Sequence, residues 1–215
     1  MVGRRRTLRD EDRGQIHTIE GFTAAFIIIA AALYGVQSVA ITPTSSSTAS
    51  QEVELNNYKL ADDVLATTNA NGELKEALLN WSASDEEFRG SIRDDDYYKG
   101  TDPGDFDYGG SVPGDLGDTL NETLTQRGLA YNIELTCADT GGTQMLAENG
   151  DPSNHASTAT TVVSLYDHDE VHSTSGDVTL AEVESDPDLE FYCERIDDDS
   201  TIHSAVEVKI TIWRM

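Results

Sequence analysis

The densest run of side chains able to do chemistry is Tyr166-Asp167-His168-Asp169-Glu170-Val171-His172, in which two histidines stand four positions apart among three carboxylates. On a helix those histidines would share a face, the geometry that zinc sites use. The run instead follows an alternating apolar stretch and precedes Ser173-Thr174-Ser175-Gly176, so a polar hairpin turn is the predicted form. In a turn the spacing carries no such meaning. A second acidic stretch, Asp102-Pro103-Gly104-Asp105-Phe106-Asp107-Tyr108-Gly109, has carboxylates close enough to attract a hard cation. It lacks the D-x-D-x-D-G register and the bidentate Glu of a calcium loop, and reads as a solvated loop. No G-x-S-x-G, phosphate-binding loop, dinucleotide fingerprint or H-E-x-x-H occurs in the sequence. The expectation is a chain without enzymatic activity, cofactor or metal centre.

The two cysteines, Cys137 and Cys193, both fall on the apolar parity of alternating segments. If the region holding them lies outside the cell, they are expected to form a bridge, which by the chain-entropy argument would stabilise by about 4 kcal/mol. Neither has a second thiol close in sequence to complete a metal pair. Asn80-Trp81-Ser82 and Asn121-Glu122-Thr123 fit the glycan acceptor pattern, which makes Asn80 and Asn121 glycosylation candidates in the same setting.

Charge narrows the partners. Lys plus Arg number 14 and Asp plus Glu 40. Five of the arginines lie in the first 14 residues, so the remainder carries 9 bases against 37 acids. A surface this acidic repels phosphate backbones and excludes nucleic acid as a partner. Poor in Lys and rich in Asp, Glu, Thr and Ala, it resembles the proteins of salt-in haloarchaea, whose carboxylates keep the surface hydrated.

These residues must be positioned by a chain that begins with a basic terminus, 1–15, and continues into 21–41, GFTAAFIIIAAALYGVQSVAI, without a charge. At about 1.5 Å per residue, a helix of that length covers the roughly 30 Å hydrocarbon core of a bilayer. Basic flanks stay on the cytoplasmic side, which would place everything after Ile41 outside the cell. Residues 1–41 admit three readings: an uncleaved signal anchor, a secretory signal cut at Ser38-Val39-Ala40, or a processed leader. The third comes from Arg13-Gly14-Gln15-Ile16-His17-Thr18-Ile19-Glu20 running straight into the apolar segment.

That run resembles the leader of archaeal type IV pilins and pilin-like membrane proteins. The resemblance implies cleavage by a peptidase after the Arg13-Gly14 pair, before Gln15, and a role for Glu20 in subunit assembly. Glu20 is sixth if Gln15 is the first mature residue and takes the family's fifth position if the cut follows Gln15. A carboxylate beside a membrane span is costly and tends to be retained for a partner. In this likeness the partner is the freed terminal amine of a neighbouring subunit. The implied partners are membrane lipid and, through the amino-terminal helix, further copies or other pilin-like subunits.

The rest of the chain is patterned. Residues 42–50, Thr42-Pro43 and a Ser/Thr tract, read as a linker. Helical periodicity returns over 51–81, with Val53, Asn57, Leu60 and Val64 on one stripe, Tyr58, Ala61 and Leu65 beside it, and Asn71-Gly72 as a break. Residues 82–114 read as a long loop. A helix over 115–127 starts with Asp115 as cap, carries Leu116, Leu120 and Leu124, and stops at Gly128. Strict alternation predicts strands over 129–137 and 206–212, with weaker strands over 160–166, 178–183 and 189–193. The fold expected is α+β: a transmembrane helix over 16–41, then an acidic extracellular domain over 51–215 with a helical segment and an antiparallel sheet. The function expected is a single-pass, pilin-like structural or assembly protein in the cell membrane of a halophilic archaeon. The alternative is a membrane-anchored or secreted module that binds a ligand or cation without catalysis.

Overall fold

The computed structural model describes residues 22–30, 44–91, 96–99 and 111–215. The chain divides into two compact units, Met1–Thr48 and Ala49–Met215. In the first, residues 22–30 form a helix, α1, every side chain of which is exposed. Of the apolar stretch 21–41 these nine residues alone are described; Arg13, Gly14, Gln15, Glu20 and the rest of the span lie outside the described residues. Among the described residues, no helix is long and apolar enough to cross a membrane.

Helix α2 spans Thr44–Asn71, so the Ser/Thr tract read as a linker is helical from Thr44 onward. A proline stops a helix that runs into it but not one that starts behind it, and Ser and Thr suit an opening turn. Burial along α2 begins later than its apolar stripe: Ala61, Val64, Leu65 and Thr68 are buried, while Val53 and Tyr58 are each 46% exposed. The helix ends at Asn71, and Gly72, at φ 85°, supplies the left-handed turn into α3 (Glu73–Leu79). Three two-residue strands follow: β1 (Trp81–Ser82), which takes the last residue of the expected helix, and β2 (Glu87–Phe88) and β3 (Tyr98–Lys99), in the region expected to be loop. Phe88 and Tyr98 anchor it by full burial. The acidic stretch 102–109 lies outside the described residues.

Helix α4 (Gly114–Thr123) buries Leu116 and Leu120, with Pro113 rather than Asp115 at the cap position. A short 3-10 turn, Thr125–Arg127, ends on Gly128 at φ 73°, as its sequence position predicts. Then come β4 (Leu129–Cys137), β5 (Thr143–Glu148), β6 (Ser157–Tyr166), β7 (Glu170–Ser173), β8 (Gly176–Thr179), α5 (Leu180–Ser185) and β9 (Ile202–Arg214). The strands make a five-stranded sheet in the order β3-β5-β4-β9-β6 and a four-stranded sheet in the order β2-β1-β7-β8. Long β9 is the axis of the larger one, paired antiparallel to β4 from Leu129↔Arg214 to Cys137↔Val206, and to β6 on its other edge.

The architecture is α+β, but the sheets are mixed rather than antiparallel throughout. β1 runs parallel to β7, and β3 parallel to β5. Parallel neighbours need a crossover, and both pairs have one: long stretches of chain separate their members. Alternation decides the faces of the large sheet. Tyr131, Ile133 and Leu135 of β4 and Val206, Val208, Ile210 and Ile212 of β9 are all buried in one core. On the opposite face Lys209 pairs with Glu134 of the neighbouring strand, and Thr158 lies 3.2 Å from Thr211.

Two of the weaker strand readings change. Residues 178–183 divide between β8 and α5, because Thr179 and Glu182 form a reciprocal capping box that nucleates a helical turn. Residues 189–193 form no strand. Phe191 and Tyr192 pack instead against the Trp81 ring, at 6.4 and 5.2 Å between centroids.

Candidate functional site

The run 166–172 is a corner between the two sheets. Tyr166 ends β6, Glu170 starts β7, and the turn is closed by the Tyr166 amide donating to Asp169 Oδ2 at 2.7 Å. The histidines diverge. His168 stacks on the Tyr166 ring at 5.5 Å, while His172 Nδ1 lies 3.2 Å from Asp177 Oδ1 on β8. Lys75 of α3 pins the corner, with Nζ 2.7 Å from Asp169 Oδ2 and 4.7 Å above the Tyr166 ring. Asp169, His168 and His172 are thus each held by a local partner. Among the described residues, no three His, Cys, Asp or Glu side chains converge in a way that could hold a metal ion.

Asp167, in the same turn, faces inward. Its Oδ2 accepts from Arg195 Nη2 at 2.7 Å, and that Nη2 also donates to the Ser200 carbonyl at 2.7 Å. Asp167 Oδ1 stands 3.8 Å from Nδ1 of His203, a residue 1% exposed, whose Nε2 lies 3.3 Å from the Cys193 carbonyl oxygen. Burial holds the His203 imidazole below its ordinary pKa, against the opposing pull of the Cys193 carbonyl, Asp167 and Glu184. With Nε2–H donating to Cys193, the neutral ring has no hydroxyl or thiol partner to activate. The arrangement is a structural clasp rather than a catalytic one.

Cys137 and Cys193 are joined as a disulfide, with Cα atoms 5.5 Å apart. It ties the end of β4 to the irregular segment after α5. The same segment is tied to β1 by Trp81 Nε1, which donates to the Glu190 carbonyl at 2.8 Å, and to α3 by the Tyr192 hydroxyl, which donates to Leu78 O at 3.2 Å. Burial raises the phenols of Tyr98 and Tyr192 above their ordinary range and that of Tyr131 to about 12, so all three are neutral. Asn80 donates through Nδ2 to Tyr98 Oη at 2.8 Å and to the Arg89 carbonyl at 3.3 Å, which engages the nitrogen a glycan would need. Asn121 sits in the last turns of α4, half-buried.

A concavity of about 640 Å³ lies between α3, the start of α4, and β7 with β8. Glu73, Glu76, Asp115, Glu170 and Asp177 line it, with Lys75 and His172 already committed to Asp169 and Asp177. The described side chains lining it include no serine, threonine, cysteine or tyrosine, and Arg89 adds a cation to the carboxylates. Its chemistry is that of a weak, open cation-attracting groove.

Sequence reasoning did not find the Asp167–Arg195–His203 clasp. In the alternation of β9, His203 falls on the polar parity opposite Ser204 and Val206, and nothing local predicts its burial. It is buried because the 191–200 segment folds over it, with the Ile196 amide donating to His203 O at 2.8 Å.

Fold and sites together define an acidic α+β domain of two mixed sheets, stapled by one disulfide and following an apolar helix. The chain belongs to a family of unknown function (DUF7288), which it matches over residues 13–212. No curated protein and no solved structure matches it.

Proposed function

We propose that this chain is a single-pass, pilin-like structural or assembly subunit, with its amino-terminal apolar segment in the membrane and its acidic head outside the cell. The observation that carries this reading is α1. Phe22, Phe26, Ile27, Ile28 and Ile29 are 58–75% exposed on nine helical residues. Leaving such side chains in water costs about 1.5–3 kcal/mol each, which lipid or a neighbouring helix removes. The family match spans residues 13–212, and so takes in the 13–20 run, the apolar segment and the head together.

Intact-mass measurement of protein extracted from membranes tests the reading. Loss of residues 1–14 or 1–15 is expected. Loss of 1–40 would make the chain a secreted protein, and an unprocessed mass would leave a plain anchor.

The alternative reading is a non-catalytic head that binds a ligand or cation, for which the acid-lined groove supplies charge but no convergent ligand set among the described residues. Calcium titration of the full chain, followed by tryptophan fluorescence, should show saturable binding if that reading is right.

A further inference from the structure

Beyond residue 14 this chain has about four acids for every base, 37 against 9, so a basic side chain ordinarily finds a carboxylate. Lys75, Arg195 and Lys209 do. Lys59, Arg127 and Arg214 do not. They instead share a pocket of about 370 Å³, and none of the three has an ion pair in the structure. Three independent elements bring them together. Lys59 comes from the exposed side of α2, Arg127 from the 3-10 turn before β4, and Arg214 from the end of β9. The pairing Leu129↔Arg214 and the Met215 amide donating to Gly128 O at 3.1 Å place the two arginines at one end of the sheet. Asn56 and Asn57 add neutral amide donors to the wall. The one carboxylate among the lining residues is Asp63, which forms no ion pair with the three cations.

Gathering unpaired cations on a surface of the opposite sign costs their mutual repulsion and gains nothing for the fold. The cost is recovered when an anion sits among them. Two guanidinium forks accept carboxylates in a planar, bidentate manner, and a lysine supplies a mobile point charge beside them. The pocket volume lies at the low end of the roughly 300–1,000 Å³ typical of small-molecule sites. We propose that Lys59, Arg127 and Arg214 form a binding site for clustered carboxylates. The carboxylates come either from a free polycarboxylate or from an acidic stretch of a second copy of this chain. The inference does not depend on the membrane reading above.

The test uses the full chain in a nonionic detergent, titrated calorimetrically with citrate at fixed ionic strength, and sedimented over a range of concentrations with and without citrate. The variants are Lys59→Gln, Arg127→Gln and Arg214→Gln combined, and Arg127→Lys with Arg214→Lys. All three side chains are exposed, and unchanged near-ultraviolet dichroism checks that the fold persists. Saturable citrate binding is expected, weakened about tenfold or more by the triple change and less by the lysine pair, which keeps the charge but loses the forks. Citrate binding without self-association identifies a free polycarboxylate as occupant. Self-association that citrate competes away and the triple change abolishes identifies the second copy. Neither saturable citrate binding nor any change in association on triple substitution overturns the proposal.

Discussion

Arg195 Nη2 lies 2.7 Å from Asp167 Oδ2, and this one contact ties the corner between the two sheets to the segment that carries Cys193. Both side chains are about four-fifths removed from solvent, at 19% and 22% exposure, so the pair works in a medium poorer than water. Replacing Arg195 with Met should lower the unfolding free energy by about 2–4 kcal/mol, because the largely buried Asp167 carboxylate is left without its cation. Urea unfolding measures it. A loss below about 0.5 kcal/mol would mean that the contact behaves as an ordinary surface ion pair.

The disulfide leads to a second prediction. Its two cysteines are 56 positions apart, so Cys137→Ser should lower stability by about 4 kcal/mol, or somewhat less if the unfolded chain is compact. Nonreducing peptide mapping of protein prepared without reductant should recover the Cys137 and Cys193 peptides joined. Free thiols at both positions would contradict it.

Stability should also depend on pH through His203. Burial lowers its pKa in the folded state below the ordinary 6.5, so the unfolded chain binds the proton first as pH falls. The contribution of neutral His203 is therefore fully present above about pH 6.5 and is lost progressively between there and its lower folded value. His203→Gln, which can keep a donor on the Cys193 carbonyl, should flatten the melting temperature between about pH 6.5 and 5 relative to the parent. Parallel curves for the two proteins would remove His203 from the account.

For Glu20 the prediction follows from the proposed assembly role. An ionised carboxylate at the boundary of an apolar helix gains most from a cation on another subunit. Glu20→Gln should leave membrane insertion and head folding intact while reducing recovery in high-molecular-weight or filament fractions. Crosslinking indistinguishable from that of the parent would reduce the reading to plain anchoring.

Much of the head was legible from local pattern. The alternation of Leu129, Tyr131, Ile133, Leu135 and Cys137 matches the bounds of β4, and the four-residue recurrence of Leu116, Leu120 and Leu124 marks α4 and the turn after it. The disulfide was expected from two cysteines in an extracellular setting; Cys137 lies on the buried parity of β4, while Cys193 reaches it from a segment that forms no strand. Such features are local, or depend on one face being buried, and periodicity records both.

The amino acid sequence by itself determined the acidic character, the charge-free segment behind a basic terminus, the main helices, and the two long strands that pair as β4 and β9. Tertiary structure decided what depends on distant partners. Phe191 and Tyr192 leave an extended reading because Trp81 offers them a ring to pack on. β1 and β3 exist as strands because β7 and β5 lie beside them. Lys59, Arg127 and Arg214 share a pocket because a helix, a turn and a strand end meet there. Periodicity reports which face of an element is buried, but it carries no information about which other element buries it, and sites are built from that second choice.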